Sequence, residues 1–258
     1  MKAASADPLL LPPLIGIDPE HGGGKGFQRI LRHLRDSPDD PEDVWRFMTF
    51  AMPLARASKA QLFQDLWALW VSGAKRDGYF VEFGAADGVN ISNTWFLEKQ
   101  MGWTGVLAEP NPVFTASLQR ERSCIVSTKC VYSTSGQHVG FLAAKHSEFS
   151  RVADIVPADQ HEDRRKAHQI IQVETISLGD LLAEHQAPEC IDYMSIDTEG
   201  SELDILQAFD FERWDVRAFT IEHNGTPARE PIRQLLVSKG YRRLWTGLSR
   251  FDDWYVRA

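Results

Sequence analysis

The residues best suited to chemistry gather at three points of the chain. Tyr79-Phe80-Val81-Glu82-Phe83 is an aromatic and β-branched run that passes directly into Gly84-Ala85-Ala86-Asp87-Gly88. A loop of small residues straight after a strand lets a ligand approach the backbone at the carboxyl end of a sheet, where open α/β sheets bind their ligands. Enzymes that bind dinucleotides use such loops to hold pyrophosphate. Here Ala stands where the second glycine would be, and Asp87 lies inside the loop. A carboxylate there repels phosphate and argues against a dinucleotide. Glu82, two residues before Gly84, is expected at the strand tip, where an anion accepts hydrogen bonds from a ligand ammonium group.

The second point is Gly105-Val106-Leu107-Ala108-Glu109-Pro110-Asn111-Pro112. Glu109 falls roughly 20 residues past the glycine loop, the spacing at which a carboxylate meets ribose hydroxyls. A ligand with a nucleoside at one end, an ammonium at the other and no phosphate is S-adenosylmethionine. The residues expected to hold it are Glu82, Gly84, Ala85, Asp87, Gly88, Glu109, Pro110, Asn111 and Asp197, together with Asn93 and Thr94, which suit helix capping as well.

The third point pairs Asp197, at the end of one expected strand, with Glu222-His223-Asn224 at the end of its neighbour. Asp197, Glu222 and His223 are the candidate catalytic groups, and two arrangements fit them. Asp197, Glu222, His223 and Asn224 can hold a divalent cation such as Mg²⁺ or Mn²⁺. Alternatively, His223 is a metal-free general base whose tautomer Asp197 or Glu222 fixes. Glu199 and Glu202, in the first turn of the helix that follows, read as partners of its amides and dipole.

Short apolar runs alternating with helical segments must position these residues, which is the pattern of βαβ units and a mainly parallel sheet. Strands are expected at 79–83, 105–109, 124–128, 191–196, 217–223, 241–245 and 251–256. Helices fit at 91–101, 112–121, 178–186, 201–208 and 229–239. Upstream, Ser58 to Gln61 fits a capping box, and Leu62, Phe63, Leu66, Trp67 and Trp70 share one helical face. That stripe packs against the same domain or a partner subunit, which would make the N-terminal helices a homo-oligomer contact. Residues 1–72 thus read as a leader with a helical extension, and 73–258 as the main domain. The segment near 145–169 lacks apolar periodicity and reads as a lid or a solvated insertion.

Composition bounds the rest. A chain of 258 residues, 43% hydrophobic and 25% charged, supports one sizeable core. Its formal charge of -8 disfavours nucleic acid as a partner. No window approaches the roughly 20 apolar residues of a membrane span. Cys124, Cys130 and Cys190 show neither pairing nor metal-ligand spacing, so they read as core thiols in a reducing cytoplasm. The remaining histidines are taken as surface residues.

The ordered blocks resemble the FkbM family of methyltransferases from about Gly78 to about Leu244. They are Val81 to Ala85 with Asp87-Gly88, Ser92-Asn93-Thr94, Gly102-Trp103-Thr104-Gly105 leading to Glu109-Pro110-Asn111-Pro112, Thr175 with Leu178, Asp180 and Leu181, Ile196 to Glu202, and Val216 to Asn224. The resemblance implies a Rossmann-like class I methyltransferase fold, a seven-stranded mixed α/β sheet with helices on both faces and one antiparallel strand. It also implies S-adenosylmethionine as donor and O-methylation of a sugar, glycan or natural product. N-methylation on the same fold, and a nucleoside-binding protein without catalysis, are the competing readings.

Overall fold

The computed structural model describes residue 35 and residues 41–144, 151–152 and 168–258. Its strands, in chain order, are β1 (Tyr79–Phe83), β2 (Thr104–Ala108), β3 (Ile125–Ser127), β4 (Cys130–Tyr132), β5 (His138–Ala144), β6 (Arg151–Val152) and β7 (His168–Ser177). They continue as β8 (Cys190–Ile191), β9 (Tyr193–Ile196), β10 (Asp215–Val216), β11 (Ala218–Glu222), β12 (Tyr241–Leu244) and β13 (Asp252–Arg257). The helices are α1 (Pro41–Ala51), α2 (Gln64–Val71), α3 (Trp95–Met101), α4 (Thr115–Glu121), α5 (Leu178–Glu184), α6 (Glu202–Ala208), α7 (Arg229–Ser238) and the short α8 (Thr246–Ser249).

Seven strands form the central sheet in the order β12-β13-β11-β9-β1-β2-β3. β13 runs antiparallel to both of its neighbours, and the other pairs are parallel. The inner strands β1, β2, β9 and β11 are mostly apolar because both of their faces are covered. Along β1, Val81 and Phe83 enter one core with Leu181 and Leu182 of α5, Ile205 and Leu206 of α6 and Leu236 of α7. Phe80 enters the other core, with Leu66 and Trp67 of α2, Phe96 and Leu97 of α3 and Leu118 of α4. The two-residue period of a strand makes this division.

Each strand expected for this sheet is present to within about two residues, and all five expected helices form. The start of α2 differs. Ser58 donates its hydroxyl to Asp65 (2.7 Å) instead of capping a helix, residues around Ala60 bridge Ile91, and the helix begins at Gln64 behind Phe63 at φ +62°. Leu66 and Trp67 of the apolar stripe are buried, with Trp67 stacked 5.1 Å from Trp254 of β13, so this part of the stripe packs on its own domain.

A second sheet, β4-β7-β5-β6, was not anticipated. β5 and β7 pair antiparallel over seven positions, from His138 opposite Glu174 to Ala144 opposite His168. Most of the lid or insertion expected near 145–169 lies outside the described residues. Two expectations about thiols and histidines need adjusting: Cys130 is buried but Cys190 is exposed, and His185 is half-buried.

Candidate functional site

The chain runs from β1 to β2 on one side and later returns to β9 on the other, so the sheet reverses direction beside β1. Ligands bind in the crevice at such a switch point. Phe83 stands beside Ala108 and Ile196, and Ile196 stands beside Ile221. The residues that follow therefore emerge side by side: Gly84, Glu109, Asp197 and Glu222. At Gly84 φ is +80°, and a Cβ would lie 1.8 Å from the Asp197 carbonyl oxygen. No other residue fits there.

Two cavities meet at Gly84 and Asp197. The first encloses about 530 Å³, open solvent included, between Ala86, Glu109 and Pro110, with Phe141 and Val152 of the second sheet over it. The second, about 440 Å³ on the same measure, lies between Glu82, Ala85, Asn93 and Asp252, and is walled by Gln61 and Gln64. Glu109 is held by two backbone amides: Ala86 N–H donates to Oε2 (3.0 Å) and Asn111 N–H to Oε1 (2.8 Å). Burial raises its carboxyl to about 7 despite both bonds. Asn93 donates Nδ2–H to Ser195 Oγ (2.9 Å), while its buried Oδ1 has no hydrogen-bond partner among the described residues.

Glu82 lines the second cavity, yet most of its acceptor capacity is already used. Asn93 N–H donates to Oε1 (2.7 Å), and the Ser92 and Thr94 hydroxyls donate to Oε2 (3.0 and 2.5 Å). The buried guanidinium of Arg122 lies 3.7 Å away, bonded to Glu98 (2.7 Å), the Gly88 carbonyl (3.0 Å) and Thr94 Oγ1 (2.8 Å). Glu82 thus ties the loop from Gly84 to Thr94 to β1 while lining the cavity in which a ligand ammonium was expected. Asn93, with its Oδ1 unpartnered among the described residues, lines the same cavity.

Asp197, Glu199 and Glu222 bring carboxylate oxygens within 4.8 Å of one another. Burial raises both Asp197, to about 7, and Glu222, well above the carboxylate range; the neighbouring charge of Asp197 raises Glu222 further. The two side chains are hydrogen-bonded, so near neutrality they share one proton. Glu199, expected only to cap a helix, is directed into the group by a left-handed backbone at φ +58°. Glu202 does act as expected and accepts from the Thr198 and Gly200 amides (both 3.0 Å).

His223 and Asn224 do not join this group, which corrects both the four-residue cation site and the histidine base. His223 Nδ1 accepts from Gly225 N–H (2.9 Å), so Nε2 carries the proton and meets the Asp252 carbonyl oxygen (3.1 Å). Burial and the nearby Arg229 hold its pKa below the usual value. Asn224 turns through φ +45° and donates its N–H to the Phe251 carbonyl (3.1 Å).

Four further expected ligand contacts are structural in this conformation. Asp87 accepts from Val89 N–H (2.9 Å) and Asn90 N–H (2.8 Å) of its own turn, and Gly88 packs against Leu118 and Arg122. Thr94 belongs to the Glu82–Arg122 knot, and Asn111 Oδ1 accepts from Val113 N–H (3.2 Å). Gly84, Ala85, Asn93, Glu109, Pro110 and Asp197 do converge on the paired cavities. Missed from the sequence were Gln61, Gln64, Arg122, Phe141, Val152 and Asp252. The alternation of Val139, Phe141 and Ala143 was a legible strand signal, whereas nothing local marks Arg122 or Asp252.

A parallel sheet with one antiparallel strand next to its edge, a glycine-led loop after the first strand and an acidic residue at the tip of the second together define a class I S-adenosylmethionine-dependent methyltransferase. The profile of the methyltransferase FkbM domain matches residues 82–243, well over half of the chain. The protein belongs to the FkbM methyltransferase family. No curated protein sequence matches it. Among solved structures it is similar to precorrin-6y C5,15-methyltransferase from Geobacter metallireducens, at 10% identity and TM-score 0.37, over 74% of this chain and 85% of that one. It is also similar to the N-terminal domain of human METTL16, at 13% identity and TM-score 0.38, over 74% of this chain and 66% of that one. No helix among the described residues is long and apolar enough to cross a membrane.

Proposed function

We propose that the protein methylates a hydroxyl oxygen and that the Asp197–Glu222 pair takes the hydroxyl proton. The carrying observation is geometric: Asp197 lines both cavities where they meet and is hydrogen-bonded to Glu222, and both half-buried carboxyls are raised above their usual range. S-adenosylmethionine supplies a methyl carbon whose bond to sulfur breaks, with its electron pair leaving to sulfur, as the acceptor oxygen bonds to that carbon. An alcohol oxygen becomes a competent nucleophile only as it loses its proton, so a base with a pKa near neutrality suits it.

The residues present fit the donor. Glu109 keeps acceptor capacity for ribose hydroxyls beyond its two amide bonds, Asn93 Oδ1 awaits a donor such as an ammonium, and Gly84 leaves the junction open. Asp197, when ionised, orients the acceptor hydroxyl and receives its proton, and Glu222 donates its own hydrogen bond to steady that carboxylate. Phe141 and Val152 exclude water from the nucleoside side.

Transfer should rise with pH through about 7 as Asp197 ionises. Asp197→Asn should abolish turnover while keeping affinity for S-adenosylhomocysteine within about threefold. Full turnover in Asp197→Asn would refute the assignment. The proximity of Asp197, Glu199 and Glu222 also favours a second reading, in which they hold a divalent cation that polarises the hydroxyl. A rate lost to a chelator and restored by Mg²⁺ or Mn²⁺ would select it.

A further inference from the structure

A third cavity opens beside the donor cleft, between α1, the residues leading into α2, and the start of β13. It encloses about 1000 Å³, open solvent included, and its lining includes Phe47, Met48, Met52, Leu62, Phe63 and Trp254. Arg250 is the one charged residue among the described residues that line it. Met52 and Phe63 remain 65% and 42% exposed at its rim, the kind of apolar exposure that marks a binding surface.

This cavity shares a wall with the donor cleft. Gln61 lines both, and Arg250 of the apolar cavity is followed directly by Phe251 and Asp252 of the cleft. Gln64 fastens the wall by donating Nε2–H to Asp252 (2.7 Å), and Trp254 lies two residues beyond Asp252 on the same face of β13. The backbone is strained on both sides of the opening: Phe63 and Arg250 hold φ of +62° and +54°, a region that side-chain-bearing residues rarely adopt. Such strain collects at ligand clamps, where the surrounding structure holds it in place.

We infer that this cavity binds the methyl acceptor, and that the acceptor is an apolar alcohol carrying one acidic or carbonyl group for Arg250. The inference rests on the O-methyltransferase reading above. The acceptor oxygen must come within about 3.5 Å of the methyl carbon, so its cavity has to adjoin the donor cleft. A free sugar would lose water from every hydroxyl against Met, Phe and Leu side chains that offer no hydrogen bond in return, whereas rings or alkyl chains are matched by them.

The test is a fluorescence titration of the full chain with 1-anilinonaphthalene-8-sulfonate, an apolar probe with one anionic group. Calorimetric binding of S-adenosylhomocysteine is measured in parallel. Ala55→Trp, which fills the cavity, and Met52→Glu, which charges its rim, should each weaken the probe by about tenfold or more with donor-product affinity unchanged. Arg250→Gln should weaken the sulfonate probe and leave neutral N-phenyl-1-naphthylamine binding as it was. With labelled donor, hydroxylated arenes and long-chain alcohols should accept methyl in preference to free sugars, and Met52→Glu should raise their KM more than it lowers kcat. Probe binding that is absent from the wild type, or equal in Ala55→Trp, overturns the inference, as does transfer to sugars alone. A wild-type dimer that Met52→Glu converts to monomer overturns it too, because a second copy then fills the cavity. Failure of the wild type to bind S-adenosylhomocysteine, with probe binding intact, would instead sink the donor assignment on which the inference depends.

Discussion

Replacing Glu109 with Gln separates what this side chain does for the fold from what it does for the donor. Burial raises the carboxyl from 4.5 to about 7 in the folded protein. An acid whose folded pKa is raised stabilises the protein below its unfolded pKa and loses that contribution as pH climbs through the folded value. At 1.36 kcal/mol per pKa unit, the shift corresponds to about 3 kcal/mol lost between roughly pH 4.5 and pH 7. Gln cannot ionise, so the stability of the variant relative to wild type should rise by about 3 kcal/mol from pH 4.5 to pH 8. A constant penalty offsets part of this gain. Ala86 and Asn111 both present N–H groups to the carboxylate, and an amide has one oxygen for the two of them. The amide's own N–H₂ then faces a donor, at about 1–3 kcal/mol. Denaturant unfolding of both proteins across this pH range reads the difference directly, with the constant penalty cancelling from its slope. Hydrogen bonds to a charged acceptor contribute about 1.5–3 kcal/mol each, so donor affinity should fall about a hundredfold if two ribose hydroxyls meet Glu109. A pH-independent stability difference together with unchanged donor affinity would refute both the burial argument and the placement of the nucleoside.

Arg122→Met should leave the buried Glu82 without its cation and Glu98 with Lys99 alone, at about 3–5 kcal/mol. The expected fall in Tm is about 6–20 °C, with weaker donor binding because the loop after β1 loosens; a fall under about 3 °C would contradict the knot described above. Gly84→Ala combines a positive φ with a Cβ 1.8 Å from the Asp197 carbonyl oxygen, so it should cost about 2–4 kcal/mol and abolish donor binding. Normal calorimetric affinity in that variant would show that the junction is not as tight as the backbone indicates. Glu222→Met should keep turnover at high pH but move the rise of the pH–rate profile above pH 7, since it removes the hydrogen bond by which Glu222 lowers Asp197 against the effect of burial. An unshifted profile would mean that Asp197 and Glu222 titrate independently.

The order of strands and helices after residue 78 was legible because each element carries its own period and its own ending. Phe80 and Val81 point to opposite cores because a strand alternates, and this follows from local chemistry alone. The glycine loop and Glu109 were legible too, since the reach of a strand and the spacing of a βαβ unit fix where they fall. The sheet β4-β7-β5-β6 was missed because β4 and β6 are only three and two residues long and an apolar Ile170, 59% exposed, masks the alternation that buries Val173.

Other assignments depended on partners far away in sequence. A capping box at Ser58 gives way to Asp65, and Gln64 is drawn to Asp252, 188 residues distant, because a buried carboxylate gains more from a hydrogen bond than an exposed helix end does. His223 turns from the acidic group because Gly225 and Asp252 satisfy both of its ring nitrogens. Glu199 enters that group through one left-handed residue, which no periodicity encodes. The amino-acid sequence by itself determined which residue types stand at the tips of adjacent strands. Only the tertiary structure decided which of those side chains remain available to a ligand, because a buried polar group takes the nearest partner the fold supplies and what is left over is the site.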